Sequence, residues 1–558
     1  MDELKAVVGD LIRTVEWSQG FWCGRQPNNG MQRTALRAAA DAERYADQQV
    51  LMEAHHLMMP HPPHHHTVQR TPLKRHGMRI PFGAACAAVA FFALTACGSR
   101  ERLSGTGVVV LEGATVFTAA DSMPRTNAVI ALNSDRIVRV GTMGEFTYGR
   151  DVTVINVRGR FIVPGFIDMH AHVPGSARAE TARELLTYGI TTARSPGVTD
   201  SMSGVPLRTQ LARGELIGPR LVTGGAFING TPGRIPGFVN VRSAEEMRAE
   251  IRRQKRLGVD LIKLYWDVTP ELLKVAVDEA HSLGLQVAGH MRVTSWTEAA
   301  QLGINSLEHS GADGPTWELV EDPQLRERLR GQDPPRSASP LKPSEFYSLV
   351  SRGASVQGPR MDSLVAALVR NRVAVVPTLV IMQSLYFGDD VTVLRKMEPE
   401  RMPERFLASW DAFGPGWRNA NPFVMQTPTG KAQDLASGKV MLPFAMRVVR
   451  ALHDRGVLLT TGTDLGMPWI TPGVSLHREL ELLVEAGISP RDVLLMATRN
   501  GAQALGLSAE LGTIEAGKVA DLIVLRADPL VDIRNTRSID AVYHAGHRYV
   551  PDSLRASR

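Results

Sequence analysis

At 558 residues, 44% of them hydrophobic and 22% charged, the chain has the composition of a soluble globular protein larger than one typical domain. Its formal net charge is +6, and residues 1–107 hold 12 Lys and Arg against 9 Asp and Glu, so the remaining body is nearly balanced and no nucleic-acid-binding face is expected. The three cysteines are Cys23, Cys86 and Cys97, which excludes a disulfide framework or a thiolate zinc site beyond residue 97; a metal there must be held by nitrogen and oxygen.

Along the chain, residues 55–66 read HHLMMPHPPHHH, a proline-interrupted tract without the fixed spacing that a catalytic metal site needs. Residues 80–96, IPFGAACAAVAFFALTA, are uncharged and follow Met78-Arg79. A short basic start, an apolar stretch and a small-residue junction make a secretory signal. The ending Leu94-Thr95-Ala96-Cys97 resembles a bacterial lipobox, which implies lipidation of Cys97 and a mature chain tethered to a membrane and facing the periplasm. On this reading residues 78–97 are the lipoprotein signal peptide, 1–77 a non-native or disordered extension, and 98–106 a polar tether. An internal membrane anchor is the alternative, although a span needs about 20 apolar residues.

From residue 107 the texture turns to β, with GVVVLEGATVFT, NAVIALNSDRIVRVG and VTVINVRGRFIVPG as short β-branched runs bounded by Gly, Asn and Asp. After Pro164 strands and helices alternate. Eight runs read as buried strands: 166–170, 190–193, 221–223, 261–265, 286–290, 305–308, 373–378 and 457–461. Between them, Ser243 with Glu246 forms a capping box, Thr269-Pro270 opens a helix that Gly284 closes, Thr294 and Gly303 bracket another, and Ser489-Pro490 repeats the start signal. Eight such units predict an α/β fold, a (β/α)8 TIM barrel over residues 164–507. The interruptions 311–370 and 381–440 follow the sixth and seventh strands, where barrels carry active-site loops. TIEAGKVADLIVL and IDAVYHAGHRYV then return to β, so residues 508–558 are expected to join 107–163 in a small β-sandwich, since neither part alone buries a core.

Six residues fall at the C-terminal ends of these strands, where barrel enzymes place their chemistry. His170 and His172 in HAH share one side of a strand, so both imidazoles can reach one metal. Lys263, in the apolar run LIKLYW, is costly to bury as an unpaired ammonium, so it is modified, metal-linked or deprotonated. His290 ends QVAGH, His309 ends SLEH, and Asp464 closes TTGTD. A lone HxH is a weak signal; all six in order is a strong one.

With VPGFIDMHAH, DLIKLY, VAGH, LEHS, TGTD, SLHRELELLVEAGISP and GTIEAGKVADLIVL in place, residues 107–550 resemble the amidohydrolase superfamily, in particular its imidazolonepropionase-like and Xaa-Pro-dipeptidase-like branch. The resemblance implies two divalent ions, zinc by expectation, with His170, His172 and Asp464 on the first, His290 and His309 on the second, and Lys263 bridging them as a carbamate. It also implies hydrolysis of an amide, peptide or cyclic amide bond by metal-activated hydroxide, with Asp464 as general base and then acid.

Arg194, Tyr265, Trp266 and Arg292 lie just past strand ends and are candidates for substrate contacts; an arginine there suits the carboxylate of a dipeptide or N-acyl amino acid, and Tyr265-Trp266 suits a pocket wall. The turn YWDVTPELL departs from the small, Gly-rich turn frequent in the family's dipeptidases. His477 and Glu479 match a family helix and read as packing residues or as supports behind the metal ligands. Two other classes stay open, a mononuclear imidazolonepropionase-like hydrolase of a heterocycle and a substrate-binding lipoprotein without catalysis; so do lactone or organophosphate hydrolysis and homo-oligomer formation.

Overall fold

Strand runs on both sides of the alternating strand–helix region combine because each alone leaves an edge and an apolar face uncovered. The computed structural model describes residues 100–556 apart from 174–177, 199–203, 232–236, 311–313, 315, 331–340, 409–435, 437 and 468. The expected signal peptide, the histidine tract and Cys97 lie outside the described residues. Strands Val108–Val116, Arg125–Asn133, Arg136–Thr142, Thr153–Asn156 and Phe161–Pro164 form one sheet with Leu522–Leu525, Ile539–His544 and His547–Tyr549. The seam is antiparallel and pairs Leu522 with Pro164 and Leu525 with Phe161.

This sheet curls over itself. Ile137 donates its N–H to the Lys518 carbonyl (2.9 Å) and Ala520 to that of Asp135 (2.8 Å), enclosing Leu111, Ile130, Ile162, Leu522 and Tyr543. The sandwich expected from both flanking segments is therefore one continuous ladder folded back, because the seam strand joins the two halves edge to edge. The tether expected over 98–106 needs correction as well: Glu101–Leu103 pairs in parallel with Phe146–Tyr148, and Leu103 is buried with Val108, Val110 and Phe146.

The barrel strands are β1 (Phe166–Asp168), β2 (Ile190–Ser195), β3 (Arg220–Thr223), β4 (Leu261–Leu264), β5 (Gln286–Gly289), β6 (Ser306–Glu308) and β7 (Ala374–Val376). All are parallel to their neighbours. Between β3 and β4 the ladder continues through the Asp260 N–H to the Thr223 carbonyl (2.8 Å) and a bridge between Gly224 and Leu261. Residues 457–461 are not a regular strand, yet they close the ring: Val375 donates to the Leu458 carbonyl (2.9 Å), Thr460 to Val375 (3.0 Å) and Met169 to Thr461 (2.9 Å). Seven strands and this eighth segment form the closed barrel that the eight-unit reading predicts.

The outer helices form where the local chemistry asks for them. In Pro270–Ser282, the Thr269 hydroxyl accepts from the Leu272 N–H and proline occupies the first turn. Leu273, Ala276, Val277 and Ala280, spaced i, i+3, i+4 and i+7, face inward, and Leu273 and Val277 each contribute roughly 1.5–3 kcal/mol of burial. Gly284, at φ +69°, ends the run. The next helix, Trp296–Gln301, starts one residue later than expected: its capping box is built on Ser295 and Glu298, while the Thr294 hydroxyl donates to the Val268 carbonyl. Among the described residues no helix is long and apolar enough to cross a membrane.

Candidate functional site

Strand β1 delivers His170 and His172 to the mouth of the barrel, and the eighth segment delivers Asp464 beside them. Two glycines permit that approach. A side chain at Gly462 would meet His170 Cβ at 2.9 Å, and one at Gly466, at φ +112°, would meet His172 Cβ at 2.9 Å. His309, Thr378 and Asp464 hold left-handed backbone at φ 66°, 52° and 61°, a conformation that costs a non-glycine residue on the order of 1 kcal/mol and clusters at functional sites.

The ring nitrogens define the chemistry. His170 Nδ1 lies 2.7 Å from Glu308 Oε2, and His172 Nδ1 lies 2.6 Å from the Gly197 carbonyl. Both partners only accept hydrogen bonds, which places the proton of each ring on Nδ1 and leaves a lone pair on each Nε2. Those two Nε2 atoms are 3.1 Å apart, and Asp464 Oδ1 is 3.4 Å from each. His309 Nδ1 contacts the Thr378 hydroxyl at 2.9 Å. One ligand atom each from His170, His309 and Asp464 lies within 4.8 Å of the others. The His290 ring centroid is 4.4 Å from that of His309.

Burial decides the charges. Burial first, and then the neighbouring Lys263, push His170 down to about 4, against the pull of Glu308. Burial together with His290 and His170 holds His309 well below the usual imidazole range. Both imidazoles are therefore neutral near pH 7, as ligation requires. Burial works against ionisation of Asp464, but His309, His172 and His170 outweigh it and keep the carboxyl far below the usual carboxylate range. Lys263 is 1% exposed, and its Nζ has no hydrogen-bond partner among the described residues. Burial lowers it to about 8.

An N- and O-donor set with lone pairs turned toward one another, beside an orphaned buried amine, fits divalent metal ions. All six residues expected from the sequence thus lie at the C-terminal ends of barrel strands or just beyond them.

The expected substrate contacts divide. Arg194 is corrected: it is 2% exposed and turned into the barrel, where Nε donates to the Met169 carbonyl (2.6 Å), Nη1 to Ser306 Oγ (2.7 Å) and Nη2 to Glu308 Oε1 (2.7 Å). A guanidinium so engaged cannot grip a substrate. Arg292 is paired with Asp267 and lies over the Trp266 ring, 5.2 Å from its centroid. Tyr265 is half-buried, its ring 4.8 Å from His290, and with Phe227 and Phe238 it forms an aromatic wall; Phe227 also meets His172 at 5.5 Å. His477 packs between Phe166 and Tyr188 and bonds Thr536, away from the cluster.

Glu308, fully buried beside His309, was missed by sequence reasoning. Its signal was present, since a carboxylate inside an apolar strand asks for partners as much as Lys263 does.

A family model described as "Amidohydrolase family" matches residues 161–314 and 442–548. Ochratoxinase of Aspergillus niger is 24% identical over 490 residues, covering 76% of this chain and 82% of the relative. Imidazolonepropionase of Symbiobacterium thermophilum is 23% identical over 412 residues, covering 71% of this chain and 83% of the relative. Among solved structures, a Xaa-Pro dipeptidase with methionine bound in its active site superimposes with a TM-score of 0.57 at 19% identity, covering 79% of this chain and all of that one.

Proposed function

The chain belongs to the amidohydrolase family, and from that premise we propose that it is a metal-dependent hydrolase of an amide, peptide or cyclic amide bond. One observation carries the reading: two imidazole Nε2 atoms and a carboxylate oxygen converge within 3.1–3.4 Å, a donor set placed to share one divalent ion. His170, His172 and Asp464 would hold one ion and His290 and His309 a second. Lys263 would link them as a carbamate, its amine adding CO2 and releasing one proton. When bound, divalent ions supply a polarised carbonyl and a water of lowered pKa.

The protein's own groups do the rest. Asp464, ionised at neutral pH, takes the proton of the attacking water and returns it to the leaving nitrogen. Thr378 and Gly197 hold His309 and His172 in orientation. Phe227, Phe238 and Tyr265 offer an apolar face beside the histidines, which favours substrates with an aromatic or bulky apolar group near the scissile bond. A one-metal heterocycle hydrolase would leave the buried amine of Lys263 without a role. Attachment to a membrane through Cys97 belongs to this reading only as a property of residues 78–97.

The test is a screen of dipeptides and N-acyl amino acids, apolar against charged, on protein reconstituted with zinc and bicarbonate. Turnover of apolar amides is expected, with Asp464→Asn lowering kcat by about 10²–10⁴-fold. Amide hydrolysis that survives Asp464→Asn undiminished would contradict the assignment.

A further inference from the structure

Beneath the histidine cluster lies a closed network that the reaction itself does not call for. Glu308 is fully buried, and both of its oxygens are engaged. Oε2 accepts from His170 Nδ1 at 2.7 Å; Oε1 accepts from Arg194 Nη2 at 2.7 Å and from Ser306 Oγ at 2.8 Å. Arg194 is anchored in turn, through Nη1 on Ser306 and Nε on the Met169 carbonyl, one residue before His170. The chain of bonds runs from β1 through β2 to β6 and back to the ring it began beside.

Two buried charges of opposite sign gain little stability from pairing, because the desolvation of each offsets most of their attraction. Breaking the pair is costly, however, so the arrangement is rigid. It also distinguishes His170 from its neighbours. His172 leans on a carbonyl and His309 on a hydroxyl, whereas His170 leans on a carboxylate fixed by a guanidinium. A carboxylate at Nδ1 fixes the tautomer and raises the basicity of Nε2.

We propose that Glu308, held by Arg194 and Ser306, is a positioning residue that fixes His170 as a stronger nitrogen ligand than His172 or His309, and that Arg194 acts on the metal through this chain of bonds. The inference rests on the metal-hydrolase reading, and the test separates the two.

The full-length protein is stripped of metal and titrated with zinc against a chromogenic chelator. Wild-type protein that takes up no zinc would overturn the metal reading and this inference with it. Given zinc uptake by the wild type, Glu308→Gln is expected to weaken affinity by about 10–100-fold. Arg194→Met is expected to weaken it too, and the double variant by less than the product of the two, because both act through one route. Glu308→Gln affinity within two-fold of wild type, whatever happens to the melting temperature, would overturn the positioning role alone. Glu308→Asp keeps the charge and shortens the reach by one methylene. It is expected to lose affinity as well and serves as the test where Glu308→Gln does not fold; wild-type affinity in Glu308→Asp would show that no such geometry is required.

Discussion

A buried ammonium without a partner is a cost that folding alone would not retain. Lys263 Nζ is in that position, so replacing it with an apolar side chain of similar length should relieve the fold. Lys263→Met is expected to raise the unfolding free energy of the metal-free protein by about 1–3 kcal/mol in urea titrations, while abolishing turnover. A destabilised metal-free variant would mean that the ammonium is satisfied in the fold. Residue types at strand ends were legible in the sequence because strand alternation and an out-of-place charge are local signals. Direction was not. Every residue of Ile190–Ser195 is buried, so nothing in its pattern says whether Arg194 turns to the mouth or into the interior. Its partner Glu308 lies 114 residues further on, beyond any local pattern.

Elements hold these residues in place. The helix Leu379–Tyr386 follows β7 from Thr378, whose side chain makes no cap bond; its hydroxyl contacts His309 instead. The cap is supplied from another helix, where Glu479 Oε2 accepts the Val380 N–H at 2.7 Å. Burial raises Glu479 from 4.5 to about 8, so between those values the folded chain binds more protons than the unfolded one and stability falls as pH rises. Glu479→Gln removes that slope. Its stability relative to wild type is expected to rise by on the order of 2 kcal/mol between about pH 5 and pH 8, as read from denaturant midpoints; a constant difference would contradict the raised carboxyl. Seven barrel strands were legible as short apolar runs between turn signals. The eighth, 457–461, is visible in sequence as a run but lacks regular pairing, because Gly462 and the left-handed Asp464 bend it toward His170. Helix starts were legible to within a residue, Ser295 and Thr294 being chemically equivalent candidates for the cap.

At the scale of the whole molecule, the two segments that flank the barrel meet where it begins. Phe161–Pro164 pairs with Leu522–Leu525, Gly165 donates to the Asp521 carbonyl at 2.9 Å, and Asp521 also holds Arg220 at the start of β3 at 3.1 Å. The sheet thus braces the entry of the strands, while the histidines, Lys263 and Asp464 stand at or beyond their exits, a division between stability and chemistry usual for barrels. That both flanks form one sheet was legible from strand count; that it curls back as a single ladder was not, since pairing partners lie more than 300 residues apart. The proposed activity depends on bound metal. Zinc per chain, measured by elemental analysis after reconstitution with bicarbonate, is predicted at about two equivalents, falling to one or fewer in Lys263→Ala. One equivalent, unchanged by that substitution, or no tightly held metal at all, would contradict it.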